Sequence, residues 1–418
     1  MTVVHAALAP LLTMNVVFLS PGFPAEMPLF VRGLAQVGAA VYGVGDQPAS
    51  ALPEEARAAL SGYLQVSTYD DEAAVVEQVR AWLRGRSIDR VECMWERLMY
   101  LAATMRETFG VPGMSRAQTE VVRDKESMKT AVEAAGLRVP RHGRARSARE
   151  AHEVLERVGF PAIVKPIDGA GSQHTYRCDD RAGFDEALEK TRAVEELSVE
   201  EYVEGEELTY DTVCANGDVL FENVSLYRPK PMVLAQSPWI SMQNIVLRDL
   251  EHALARPGVE LGRSVLKALG FTTGFTHMEW FCTPAGEAVF GEIGGRPPGA
   301  RLVHAMNYSA DIDLFTGWAE ATCYGRLSQD TRKKYNASMV FKRAQGDGVV
   351  REHRGLAELM QRYGEHVASI ELTPIGAPRR DWRQVVVGDG WIVLRHPDLD
   401  VCLEMSERFV NDLVVVAG

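Results

Sequence analysis

Several things are scarce or missing in this sequence, and each absence removes a class of protein. The six cysteines, Cys93, Cys178, Cys214, Cys282, Cys323 and Cys402, are scattered and form no C-x-x-C pair. That argues against a disulfide framework and a cysteine zinc site, and it suits a reducing cytoplasm. No apolar stretch is long enough to span a bilayer. The opening MTVVHAALAPLLTMNVVFL lacks a basic leader and is interrupted by Pro10, Thr13 and Asn15, so it does not read as a signal peptide. Residues 1–13 read instead as an extension before the first strand. Surplus positive charge is also missing. The net charge of −12 argues against a general nucleic-acid or anionic-membrane surface. There is no internal repeat and no low-complexity segment. What is present is a globular composition, 46% hydrophobic and 24% charged over 418 residues, enough for two or three domains.

The first 120 residues alternate strand and helix patterns. Strands are expected at Asn15–Leu19, Ala39–Val44 and Arg90–Trp95, with helices through Phe30 and Leu34, over Ala73–Leu83 and over Leu98–Phe109. This order predicts a parallel, Rossmann-like α/β sheet. After the first strand, SPGFPAEM offers one glycine where a dinucleotide-binding turn needs three, which argues against a dehydrogenase. Glu96 stands at a strand end, where open sheets hold ligands. Asp124 is an expected N-cap, with Lys125 at the first helical position and Met128, Val132 and Ala135 on one face. By itself Lys125 reads as a solvated lysine.

Ser147-Ala148-Arg149-Glu150 is a capping box, followed by the apolar stripe Ala151, Val154, Leu155 and Val158. The strand Phe160–Pro166 then carries Lys165. Lysine is rarely buried without a partner, so an anion is expected beside it. Asp168-Gly169-Ala170-Gly171-Ser172 can bring backbone N–H groups to a phosphate, although Walker spacing is absent. Leu197–Leu208 reads as one strand of unusual acid density. A hairpin turns across Ala215-Asn216-Gly217-Asp218, and residues 227–248 read as a long binding loop. A helix spans Pro257–Leu269, another begins near Asp311, and the charged run at 330–336 marks a boundary. Beyond it, strands near 337–342, 369–372, 383–387 and 391–394 and helices near 355–362 and 399–410 predict a small α+β cap.

The most informative stretch is Thr272–Arg301. Two aromatic-rich runs flank Thr283–Glu287, and a hairpin there sets Glu279 opposite Glu292. Like charges so placed cost roughly 0.2–1 kcal/mol. A hard divalent cation held between them would reverse that sign. Gly294-Gly295-Arg296-Pro297-Pro298-Gly299 follows, so two carboxylates lie beside an arginine.

Taken in order, these motifs resemble the ATP-grasp superfamily over nearly the whole chain, in its carboxylate–amine ligase form and most like the L-amino-acid and dipeptide ligases. The resemblance rests on Arg123-Asp124-Lys125, Val164-Lys165-Pro166 with Gly169–Ser172, Glu200-Glu201-Tyr202-Val203-Glu204-Gly205 with Glu207, His277-Met278-Glu279, and Glu292-Ile293-Gly294-Gly295-Arg296. It implies an N-terminal α/β domain (1–120), an ATP-grasp domain of two α+β subdomains (121–335) and a C-terminal α+β cap (336–418). It implies that Lys125 and Lys165 contact ATP phosphates under the Gly169, Gly171 and Ser172 loop. Glu200 and Val203 would hold adenine, and Glu207 the ribose. Glu279 and Glu292 would ligate Mg2+, as two ions and with Mn2+ as a substitute, while Arg296, with Lys165, would serve catalysis. Arg301, His304 and Arg228 are candidate substrate contacts. The partners implied are small carboxylates and amines, not nucleic acid or membrane, in a cytoplasmic homodimer.

One position departs from the family pattern Glu-x-Asn-x-Arg: Gly294 stands where the asparagine would supply a further oxygen. The alternatives are a biotin-carboxylase-like or purine-pathway-like enzyme working through carboxyphosphate, and a nucleotide-binding module without catalysis.

Overall fold

The computed structural model describes residues 13–167, 174–230, 240–381 and 387–418. The chain divides into two compact units, one of residues 1–119 with 315–328 and the other of residues 120–314 with 329–418. The α/β character expected from the sequence is present in the first unit and the α+β character in the second.

In the first unit, β1 (Asn15–Leu19), β2 (Ala40–Gly45), β3 (Gly62–Gln65) and β4 (Arg90–Glu92) form a parallel sheet of order β3-β2-β1-β4. Val16, Val17, Phe18 and Leu19 are all fully buried, as a strand covered on both faces must be. The sequence reading missed β3 and the short helix Glu54–Ala59. Neither has the apolar periodicity that marks its neighbours. The helix Leu314–Tyr324 belongs to this unit, where Phe315 and Trp318 pack edge-on against Phe30. Glu96 opens the short 3-10 turn that follows β4.

The second unit holds two sheets. The smaller contains β5 (His142–Ala145), β6 (Ala162–Pro166), β7 (Tyr176–Cys178) and β8 (Leu197–Glu201), in the order β5-β8-β6-β7. The helix Ala148–Val158 covers it, with the Ser147 hydroxyl accepting from Glu150 N–H at 3.2 Å and the predicted stripe buried.

The larger sheet has eight strands among the described residues. Its first five are β9 (Glu206–Ala215), β10 (Asp218–Arg228), β11 (Gln243–Val246), β12 (Gly274–Cys282) and β13 (Ala288–Gly294). It also takes β14 (Asn336–Phe341), β16 (Val367–Leu372) and β17 (Gly390–His396), in the order β13-β12-β9-β10-β11-β14-β17-β16. A ribbon of β15 (Val350–Arg354) with β18 (Val414–Ala417) lies apart. Strands of residues 336–418 thus continue the sheet that the preceding segment starts.

Two readings of this unit differ from the structure. The acidic run 197–208 is two strands, because the chain leaves β8 after Glu201 and re-enters as β9. Gly205 at the crossing has no room for a side chain, since a Cβ there would lie 2.3 Å from the Cys282 carbonyl oxygen. The expected loop 227–248 contains β11, a four-residue strand too short to show a period. Residues 1–12, the Asp168–Gln173 segment, 231–239 and most of the expected 383–387 strand lie outside the described residues.

Candidate active site

The β12–β13 hairpin has the predicted pairing, reached by a different route. Near the turn Cys282 pairs with Ala288 and Trp280 with Phe290, a register that would set Glu279 against Gly291. A bulge at Gly291 shifts the ladder by one residue, and Glu279 then faces Glu292 and His277 faces Gly294. Glycine is required at the bulge, because a Cβ on residue 291 would lie 2.8 Å from the Glu279 carbonyl oxygen.

Alternation across the ladder spreads one polar face over five strands. Glu279 and His277 on β12 lie opposite Thr209 and Asp211 on β9, which lie opposite Ser225 and Asn223 on β10. Asp211 is held from three sides. Its carboxylate meets His277 Nδ1 at 2.6 Å and accepts from Thr209 Oγ1 and Asn223 Nδ2, both at 2.9 Å. His277 Nε2 lies 3.5 Å from Glu279 Oε1. Burial alone would depress the His277 pKa, but Asp211 and then Glu279 raise it to about 9. Burial also opposes ionisation of Glu279, yet His277, Arg296 and Lys165 hold it below the usual carboxylate range. Glu207 has the reverse balance. Burial and the Glu279 charge push it up to about 8, against the pull of Lys230.

The lysines come from the other side of the site. Asp124 caps the helix Lys125–Ala134 by accepting from Glu126 N–H and Ser127 N–H. Lys125 is not solvated. It is buried, donates to the Ile167 carbonyl at 3.2 Å, and lies 3.8 Å from Glu292. One turn on, Lys129 is 0% exposed and 2.8 Å from Glu200 Oε1. Lys165 reaches the other oxygen of the same carboxylate at 3.1 Å. Ser198 also donates to Glu200 at 2.8 Å, and to Glu126, which meets His142 Nδ1 at 2.7 Å. Burial disfavours charge on both lysines; Glu200 and the glutamates beyond it outweigh this at Lys165, whose pKa is raised. Lys129 stays lowered, by burial against the pull of Glu200. Lys129 was missed in the sequence. Its signal was the i,i+4 spacing from Lys125 on a face that also buries Met128 and Val132.

Of the other candidates, Val203 is buried just past the end of β8. Arg228 is paired with Gln243 and lies on the sheet face opposite Tyr227. Arg301 and His304 flank the start of the helix Leu302–Ala310, with the Arg301 guanidinium 4.6 Å from the Trp391 ring centroid. Gly169, Gly171 and Ser172 lie outside the described residues.

No group of three or more His, Cys, Asp or Glu side chains able to hold a metal ion occurs among the described residues. Two facing carboxylates, each about a third exposed, fit an ion that takes its other oxygens from phosphate and water. Residues 122–226 match the ATP-grasp domain family. The chain is similar to the L-arginine-specific L-amino acid ligase of Bacillus subtilis, with 26% identity over 252 residues, 58% of this chain and 59% of that protein. The chain thus spans under two thirds of that relative's length. Its fold is that of the L-amino acid ligase from Bacillus licheniformis, with a TM-score of 0.77, 20% identity and coverage of 97% and 99%. N5-carboxyaminoimidazole ribonucleotide synthetase from Thermotoga maritima shares the fold, with a TM-score of 0.71, 18% identity and coverage of 97% and 100%. No helix among the described residues is long and apolar enough to cross a membrane.

Proposed function

We propose that the ATP-grasp domain works as an ATP-dependent carboxylate–amine ligase with an amino-acid substrate. The observation that carries this reading is the Glu279–Glu292 pair facing across the bulged hairpin, with Lys125 at 3.8 Å and Lys165 and Arg296 close enough to stabilise its charge. Mg2+ held by Glu279 and Glu292 would neutralise the phosphate oxygens during transfer. Lys125 and Lys165 orient the phosphates of ATP. Because the Glu200 carboxylate is taken up by Lys129, Lys165 and Ser198, adenine would be read by backbone groups around Glu200 and Val203. Glu207, neutral or charged near pH 8, would take the ribose hydroxyls. A substrate carboxylate oxygen attacks the γ-phosphorus and the bond to the ADP oxygen breaks, giving an acyl phosphate. An amine then adds to the acyl carbon, phosphate leaves, the amine gives up a proton, and an amide results. Arg296 stabilises the negative charge that builds in both steps. Catalysis here is positioning and charge neutralisation.

The test is ADP release from Mg-ATP with pools of amino acids, and with bicarbonate in parallel, followed by mass spectrometry. ADP that depends on amino acids, together with a dehydrated coupling product, supports the ligase. Bicarbonate-dependent ADP instead would favour the carboxyphosphate chemistry. ATP binding without ADP from any acceptor would leave a nucleotide-binding module with Gly294 as its relevant change. Light scattering reads the expected homodimer.

A further inference from the structure

The charged run 330–336, which reads as a boundary in the sequence, sends one of its lysines inward. Lys333 follows closely on residue 329, where the chain re-enters the second unit. The backbone N–H groups of Lys334 and Tyr335 both donate to the Ser309 carbonyl, at 2.8 and 3.0 Å. That fixes the segment to the helix Leu302–Ala310. Lys333 Nζ then donates to the Leu247 carbonyl at 3.0 Å and to Asn223 Oδ1 at 2.6 Å. Burial lowers its pKa to about 7, against the pull of Asp211 and Glu222. Charged or neutral, the amine has hydrogens for both acceptors.

Asn223 lies on the sheet face that also carries Glu279, and it is 0% exposed. Its carboxamide is fully engaged. Oδ1 accepts from Lys333, while Nδ2 donates to Asp211 Oδ2 at 2.9 Å and to Ser225 Oγ at 2.8 Å. The two ends of a carboxamide have nearly the same shape, so only its partners decide which way it points. An ammonium has donors alone, and a carboxylate has acceptors alone. Turned over, the amide would set Oδ1 against Asp211 and Nδ2 against Nζ, two repulsive contacts. Lys333 and Asp211 thus hold one orientation from opposite sides.

The orientation is passed on toward the glutamate pair. Asp211, 1% exposed, takes Thr209 and Asn223 on Oδ2 and keeps Oδ1 for His277 Nδ1 at 2.6 Å. Because that oxygen only accepts, Nδ1 carries the hydrogen, and Nε2 faces Glu279 Oε1 at 3.5 Å. Each link is a direct contact, and the row crosses the adjacent strands β10, β9 and β12. Groups that hydrogen-bond a metal-ligating carboxylate orient it, and metal affinity depends on them.

We propose that Lys333 is a positioning residue for the metal site: by fixing the direction of the Asn223 carboxamide, it keeps Asp211 and His277 in the arrangement that orients Glu279. The proposal rests on the ligase reading for the role of Glu279 as a metal ligand. The row of contacts behind Glu279 stands apart from that reading.

The test uses Lys333→Met, which keeps most of the stem and removes the donors. Its first readout is the His277 Nδ1–H magnetic-resonance signal of the metal-free protein, assigned by its loss in His277→Gln. The signal should be single in wild type and should broaden or split in Lys333→Met, as Asn223 samples both directions. Mn2+ binding in the presence of ADP, followed by electron paramagnetic resonance, should weaken by roughly tenfold, the low end for losing an outer partner of a ligand. Asn223→Leu should weaken it similarly, and adding Lys333→Met to Asn223→Leu should change it no further. A lysine that only ties down its segment would lower the melting temperature and leave signal and affinity as they are. That outcome overturns the proposal, and so does full additivity of the two substitutions. If wild type binds no Mn2+ with ADP while the His277 signal still responds to Lys333→Met, the ligase reading falls and the Lys333–Asn223 assignment stands.

Discussion

The two ends of one sheet face treat polarity in opposite ways. At the β12–β13 end, charge is concentrated and mostly answered: Asp211 by His277, Thr209 and Asn223, and Glu292 by Lys125, while Glu200, on β8 of the smaller sheet, is answered by two lysines. At the β10–β11 end the neutral amide of Asn244 lies buried with no answer among the described residues. Under the proposed ligase function, the first end would serve a reaction that moves charge. A site that must bind many phosphate oxygens can rely on fields that reach several ångströms, whereas a neutral amide relies on single hydrogen bonds to groups in contact with it.

The sharpest way to break this contrast is to remove charge from the reacting end. Glu292→Gln keeps the shape of the hairpin, removes one of two facing carboxylates and loses the attraction to Lys125. Turnover should fall by roughly 10²–10³-fold, with the melting temperature of the metal-free protein unchanged or raised, since like charges no longer face each other. Near-normal turnover would show that this pair does not hold the metal.

Lys129 tests whether the charged end is structurally dependent on its pairing. Lys129→Met leaves Glu200 with Lys165 and the Ser198 hydroxyl. Removing one partner of a buried pair costs about 3–5 kcal/mol, less here because a second lysine stays on the same carboxylate. Urea unfolding should show the loss. A further rise in KM for ATP is expected, because Lys165 is drawn more fully onto Glu200. A variant as stable as wild type would mean the pair is not the anchor it resembles.

These two residues also show how far the sequence could be read. Glu279 and Glu292 were legible because a hairpin with Pro and Gly at its turn has few registers, although the Gly291 bulge that sets the pairing was not. Lys165 was legible as a lysine in an apolar strand. Lys129 was not, because a lysine on a helix is nearly always solvated, and its burial depends on Glu200 arriving from β8 seventy-one residues later. Asn244 could not be found at all. A four-residue strand with no period, QNIV, reads as loop, and an orphaned amide is a property of what surrounds it rather than of the sequence. The parallel order of β1, β2 and β4 was legible, because buried strands there alternate with amphipathic helices.

Gly294 offers a smaller effect at the charged end. A Cβ there would meet the Arg296 Cγ at 3.3 Å, the flexible part of a side chain, so a larger residue fits after a small shift. Gly294→Asn adds an oxygen next to Glu292 and opposite His277. The Mg2+ concentration for half-maximal ADP release should fall a few-fold, and Mn2+ binding followed by electron paramagnetic resonance should tighten in parallel. Unchanged metal affinity with lowered turnover would mean that the asparagine position does not serve the metal in this chain.

The smallest effect concerns a buried cation beyond the neutral end. Lys342, on the segment just after β14, donates to the carbonyls of Phe409 and Val410 at the C-terminal end of the helix Leu399–Asp412. Burial lowers its pKa from 10.5 to about 8. Between about pH 8 and 10.5 the unfolded chain therefore holds a proton that the folded chain has released, so stability rises with pH across that window. Below pH 8 both states are charged and the slope vanishes. Lys342→Met should remove this slope, so that the variant's stability relative to wild type declines by about 1–3 kcal/mol between pH 7.5 and pH 10.5. Urea unfolding at the two pH values reads the difference, and turnover at pH 7.5 should change little. A parallel pH dependence in variant and wild type would show that Lys342 keeps its charge through the window. If turnover fell with the slope, buried charge at this end would serve the reaction too, and the division between a charged reacting end and a neutral end would fail.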